Sequence, residues 1–161
     1  MAARQPHPTT DTPPHNEQVA ALTWGPDVFL SLDSPDGRCP EVFDITGPPR
    51  FLFHGPYIEL TPGLWRARAN FELSDEAGRR FMAIQFGVEP EYTTADFPRR
   101  VEGPVVVEAV HPVRTAGPAQ IRLWMKWGAF HGTLRFFGAV VERIGDVAET
   151  PEAPNEATPD T

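Results

Sequence analysis

In the run Gln120-Ile121-Arg122-Leu123-Trp124-Met125-Lys126-Trp127 an indole stands in the middle of a polar alternation. Gln120, Arg122, Trp124 and Lys126 share one parity, and Ile121, Leu123, Met125 and Trp127 the other. Side chains of an extended chain alternate between two faces, so Trp124 falls among an amide, a guanidinium and an ammonium, opposite the oily face. A flat aromatic ringed by such donors is the arrangement that holds a sugar ring: the C–H face stacks on the indole and directed hydrogen bonds take the hydroxyls. The plainer use of the same residues is a solvated sheet on which the stem of Arg122 or Lys126 lies over the indole. A second alternation runs from Trp65, with Trp65, Ala67, Ala69, Phe71 and Leu73 on one side and Arg66, Arg68, Asn70 and Glu72 on the other. If the two strands neighbour each other, Arg66, Arg68 and Asn70 join Trp124, Arg122 and Lys126 in one ligand platform. Tyr57 and His54, in the turn feeding the Arg66 strand, then sit at its edge. The guanidinium groups suit a neutral or, through paired hydrogen bonds, a carboxylated sugar.

Other chemistry is poorly supplied. No Gly-x-Ser-x-Gly elbow, phosphate-cradling glycine loop or His-Glu-x-x-His helix occurs, so no catalytic residue is assigned and the expectation is that the protein is not an enzyme. The histidines are scattered, and His54, His111 and His131 read as turn or surface residues. No cofactor is expected. Asp33, Asp36 and Asp44 offer oxygen ligands to a structural calcium ion, although turn formation accounts for the same three residues. Cys39 is the only cysteine, which rules out an intrachain disulfide and a Cys-rich zinc site.

The elements that must position these residues are short strands separated by Pro and Gly. Val28–Leu32 precedes the turn Ser34-Pro35-Asp36-Gly37, and Arg50–Phe53 leads into Gly55-Pro56. The long alternating strand ends at Leu73, where Ser74–Gly78 reads as a hairpin turn to Phe81–Val88. Val105–Val110 is β-branched. Gln120–Trp127 and Thr133–Ile144 read as a final pair joined through Gly128–Gly132. The best helical candidate, Thr94–Arg99, is cut short by Pro98. This spacing predicts an all-β fold, an antiparallel β-sandwich or barrel, with Trp65, Phe71, Ile84, Phe86, Leu123, Met125 and Phe136 in one core. Trp65 and Trp127 fall on apolar faces and are expected inside. Phe137, Ala139 and Val141 share an outward parity in the last strand, as an oligomeric interface would require.

The 161 residues suffice for one domain. Residues 1–20 are Pro-rich and residues 147–161 repeat Pro, Glu, Ala and Thr; both read as disordered arms flanking a domain over 21–146. The tail from Asp146 carries −5 of the net charge of −8, and the nearly neutral middle lacks the basic patch of a nucleic-acid binder. No apolar run is long enough to cross a bilayer, and no secretory signal is visible, so a cytoplasmic location is the default expectation.

The segment Gly55-Pro56-Tyr57, Leu60-Thr61-Pro62-Gly63, Leu64-Trp65-Arg66 resembles a recurring pattern of carbohydrate-binding-like jelly-roll domains attached to bacterial glycosyltransferases and polysaccharide-associated proteins. Those domains are also similar in closing with strands like Ile121–Trp127 and Gly132–Arg143, with a small residue where Gly138 stands. Over about residues 25 to 145 the resemblance implies a jelly-roll β-sandwich and non-catalytic recognition of a bacterial surface or exopolysaccharide. A free-standing domain of this kind also fits a structural, decoration or receptor-binding component of a phage-like particle, released with the virion and packed against copies of itself or other assembly subunits.

Overall fold

A computed structural model describes residues 21–148 of the chain. The arm expected over residues 1–20 lies outside them, as does the tail from residue 149 onward. Ten strands run β1 Leu22–Trp24, β2 Phe43–Asp44, β3 Arg50–Phe53, β4 Pro56–Leu60, β5 Gly63–Leu73, β6 Met82–Val88, β7 Glu91–Asp96, β8 Gly103–Val113, β9 Gly117–Met125 and β10 Thr133–Gly145; a single helical turn, α1, covers Asp75–Gly78. One sheet has the order β1-β10-β5-β8 with β2 also on β10, and the other β3-β9-β6-β7 with β4 also on β9. All the pairings are antiparallel. Most successive strands therefore switch sheets, which is the jelly-roll form of the β-sandwich.

The alternation in β5 is realised: Trp65, Ala67, Ala69, Phe71 and Leu73 are at most 6% exposed, and all seven expected core residues fall in one cluster between the sheets. Phe53 from one sheet stacks on Phe136 from the other at 4.3 Å between ring centres, with Phe29 edge-on to Phe136 at 4.9 Å. Such pairs add about 0.5–1.5 kcal/mol beyond burial.

Several local expectations are corrected. Ser74–Gly78 is not a hairpin turn, because β5 and β6 belong to opposite sheets. Ser74 caps α1, its Oγ accepting from Ala77 N–H at 3.3 Å, with Asp75 and Glu76 in the first turn where the dipole favours acids. Thr94–Arg99 is not helical; its first half lies in β7, where two threonines favour extended backbone. Val28–Leu32 is no strand but a 3-10 turn begun by Pro26, followed by bridges from Leu30 to Arg38 and His54. β9 and β10 are not a hairpin pair but lie in different sheets. β9 stops at Met125, so Trp127 stands 63% exposed instead of in the core.

The last strand shows how one residue reverses a reading. A bulge between Phe136 and Gly138 shifts the parity, sending Ala139 and Val141 inward while Phe137 stays out. Gly138 has φ +101°, and a Cβ there would lie 2.6 Å from the Trp24 carbonyl oxygen, so the bulge requires glycine.

Candidate functional site

The expected platform does not assemble as one surface. Arg66, Arg68 and Asn70 lie on β5 in one sheet, and Arg122 and Trp124 on β9, with Lys126 just past its end, in the other. Their outward faces are on opposite sides of the sandwich. The expectation failed because adjacency of the two strands was assumed, and strand parity carries no information on sheet membership.

On the β5 face each arginine meets a carboxylate on the strand beside it. Glu142 stands opposite Arg66 and Glu108 opposite Arg68 in the ladder. Arg66 donates to Glu142, and Arg68 Nε donates to Glu108 Oε2 at 2.9 Å. The Arg66 hydrogen bond holds the Glu142 carboxyl below its usual range. This is the solvated, ion-paired surface.

The other sheet presents three rows. Phe51, Trp124, Ala83 and Asp96 are in register across β3, β9, β6 and β7. Arg122, Gln85 and Thr94 make the next row, and Pro56, Gln120, Gly87 and Tyr92 the third. Arg122 spans the rows: its guanidinium lies 4.8 Å from the Phe51 ring centre and 3.9 Å from that of Tyr92, and it donates to Gln85 Oε1 at 2.5 Å. Trp124 is half-buried, packed beside Phe51 at 6.2 Å and under Lys126 Nζ at 5.4 Å. Lys126 in turn donates to Asp96 at 2.6 Å. Gln120 Nε2 donates to the Tyr92 hydroxyl at 2.7 Å, which donates to Glu89.

At the edge His54 Nδ1 and the Tyr57 hydroxyl share a hydrogen bond of 2.6 Å. Burial, and then the charge of Arg122, holds the His54 imidazole below the usual histidine range and hence neutral at pH 7. Tyr57 is 45% and Phe51 36% exposed. Trp124, Arg122, Lys126, Tyr57 and His54 are thus brought to one face, and Arg66, Arg68 and Asn70 are not.

Two polar atoms of this face, Gln120 Oε1 and Arg122 Nε, are enclosed without a protein hydrogen-bond partner. Unsatisfied enclosed polar groups are costly, and here they cluster beside exposed aromatic rings. The face can offer a hydroxylated ring an apolar stacking surface in Phe51 and Trp124, edged by the Lys126 ammonium and the Tyr57 hydroxyl.

Phe51, Gln85 and Tyr92 were missed as site residues. Phe51 is hidden in an apolar run that leaves its face undecided. Tyr92 adjoins the supposed helix, and the Tyr-Thr-Thr run was the β signal that would have placed it. His111 is buried, against the surface reading, with its Nδ1 2.9 Å from Thr93 Oγ1. The three aspartates have separate tasks: Asp33 accepts from Arg50 Nε at 2.8 Å, Asp36 from Arg38 N–H at 3.0 Å and Asp44 from Thr46 N–H at 2.9 Å. Among the described residues no three metal-ligating side chains gather, and no helix is long and apolar enough to cross a membrane.

No protein-family model matches the sequence, and no curated protein matches it. Over 83% of its length the chain is similar to a Clostridium thermocellum structure of the CBM22-1 and GH10 modules of endo-1,4-beta-D-xylanase 10B complexed with xylohexaose, at 9% identity, a TM-score of 0.49 and 30% of that chain. Over 90% of its length it is similar to a chain in the structure of infectious bursal disease virus Gx strain, at 13% identity, a TM-score of 0.41 and 36% of that chain. The chain thus spans about a third of the length of these neighbours.

Proposed function

We propose that this domain is a non-catalytic carbohydrate-binding module that holds a bacterial surface or exopolysaccharide against the β3-β9-β6-β7 face. The observation that carries the reading is Trp124 beside the exposed Phe51 ring, with the Arg122 guanidinium between the Phe51 and Tyr92 rings and Lys126 over the indole. A shallow site of this kind binds weakly, with Kd about 1 mM or about 4 kcal/mol, and several copies on one particle would raise avidity. A glycan array followed by titration with the retained saccharide tests it. Trp124→Ala should abolish binding while Tm falls by only a few degrees; retained binding by a folded Trp124→Ala variant would overturn the reading.

A second reading, a structural or receptor-binding subunit of a phage-like or other assembly, is favoured by the large apolar side chains left outside. Phe130 is 90%, Leu32 82% and Phe137 54% exposed. Light scattering over a concentration series decides it: a monomer at every concentration argues against packing between copies.

A further inference from the structure

A second site lies at the end of the sandwich where α1 meets the β7–β8 connection. The chain contains two Arg-Arg steps, Arg79-Arg80 and Arg99-Arg100, twenty residues apart, and the fold brings them together. Arg100 N–H donates to the Gly78 carbonyl at 2.8 Å. Gly78 permits this approach, since any Cβ there would collide with the Val101 carbonyl. Arg100 itself is held at φ +57°, a left-handed conformation that costs a non-glycine residue about 1 kcal/mol or more.

The result is a cleft of about 630 Å³ lined by Asp75, Arg79, Arg80, Phe81, Arg99 and Arg100. Its charges are unevenly matched. Arg79 pairs with Asp75 at 3.1 Å and Arg80 with Glu76 at 3.5 Å. Among the described residues, Arg99 and Arg100 have no carboxylate within 4.0 Å. Arg80 Nε is enclosed without a partner. The Arg99 guanidinium rests 4.3 Å from the Phe81 ring centre, and Phe81 packs on the exposed Trp127 ring at 5.0 Å. Guanidinium forks match carboxylate and phosphate oxygens in pairs, and an aromatic pair beside them suits a ring bearing that oxyanion.

We propose that this cleft binds the carboxylate or phosphate of an acidic sugar, with Arg99 and Arg100 as the principal donors and Phe81, backed by the adjoining Trp127 ring, as the aromatic wall. The site is separate from the Trp124 face and does not depend on it. The indole N–H signals of Trp127 and Trp124 in a heteronuclear NMR spectrum, identified with Trp127→Phe and Trp124→Phe variants, report the two places independently. The full chain is titrated at low salt with a hexuronate trimer, glucose 6-phosphate, inorganic phosphate and a neutral glucose trimer. The Trp127 signal should move with the uronate or the phosphosugar at about 1–10 mM and not with the neutral trimer. A response to the uronate alone identifies a carboxylate site; a response to glucose 6-phosphate alone identifies a phosphate site. Movement with inorganic phosphate but with neither sugar would overturn the sugar assignment. Affinity should fall at least about tenfold in Arg99→Gln/Arg100→Asn, asparagine tolerating the left-handed backbone. Should that variant fail to fold, Arg79→Gln at an exposed position should weaken binding severalfold. An unmoved Trp127 signal with both acidic sugars, or unchanged affinity in a folded arginine variant, overturns the proposal.

Discussion

The two outer faces of this sandwich begin from the same kind of sequence, a strand alternating apolar residues with cations, and end as different surfaces. On β5 the neighbours β10 and β8 place Glu142 and Glu108 opposite Arg66 and Arg68, so each guanidinium is engaged by a carboxylate. On β9 the neighbours β3 and β6 place Phe51 opposite Trp124 and Gln85 opposite Arg122. The Arg122 guanidinium therefore lies between rings and amides, and Nε remains without a partner. A cationic strand becomes an ion-paired wall or an aromatic-lined face according to what the adjacent strands put across from it.

Both faces stand on one core, so a core deletion under either should cost alike. Phe71→Ala beneath the β5 face and Leu123→Ala beneath the β9 face remove side chains that are 1% and 0% exposed. Each should lower unfolding free energy by about 2–5 kcal/mol, measured by denaturant titration. A small loss at one site only would show that the two sheets do not share the interior equally.

The comparison sharpens when binding is read on both faces. Arg122→Ala should weaken saccharide binding at least about tenfold, near 1.4 kcal/mol, because it removes a donor and unstacks Phe51 and Tyr92. Arg66→Ala, on the opposite sheet, should leave affinity unchanged. Equal losses in calorimetric titrations of the two variants would mean that the ligand does not discriminate between the faces.

Strand parity made much of this legible. The buried positions of β5 follow from period-two alternation alone, as do the inward Ile121, Leu123 and Met125 of β9 and the opposite parity of Trp124, while Ala83 and Gln120 are buried against their parity. What parity cannot convey is which strand neighbours which. Ser74-Asp75-Glu76 and Gly128–Gly132 look like hairpin connections, yet both carry the chain from one sheet to the other. That error merged two half-sites, Arg66-Arg68-Asn70 and Arg122-Trp124-Lys126, that the fold holds apart. The bulge at Phe137 is equally silent, since its only local mark is Gly138, and the need for glycine there arises from the distant Trp24 carbonyl. The four arginines of the end cleft went unseen because each Arg-Arg step is ordinary alone and only the Gly78–Arg100 contact unites them.

Acid should separate the enclosed histidines from the ion-paired wall by pH. Burial and the Arg122 charge hold His54 below the ordinary histidine value, and burial does the same for His111. The unfolded chain then takes up more protons as pH falls through about 6.5, so the stability these groups contribute is complete above that pH and declines below it. Glu142 has the same sign but a lower pH window. Its lowered value stabilises above the ordinary carboxylate range and is lost only as pH falls through that range. Between pH 7.5 and 5.5 Tm should therefore fall while the Glu142 carboxyl signal stays put. His111→Gln should flatten the Tm change, and an unchanged slope would remove His111 as a contributor.

The smallest effect belongs to the ion-paired wall. Arg68 and Glu108 are 46% and 47% exposed in their side chains, so water and salt screen the pair, and holding two long side chains in one geometry costs entropy. A double-mutant cycle of Arg68→Ala and Glu108→Ala should give a coupling of about 0.2–1 kcal/mol, shrinking further as salt is raised. Coupling well above that range would mean that the pair is structurally demanding and that the β5 face is more than a solvated surface. A value near zero, with no change in saccharide affinity, would leave the wall as packing and solubility and confine recognition to the β9 face and the end cleft.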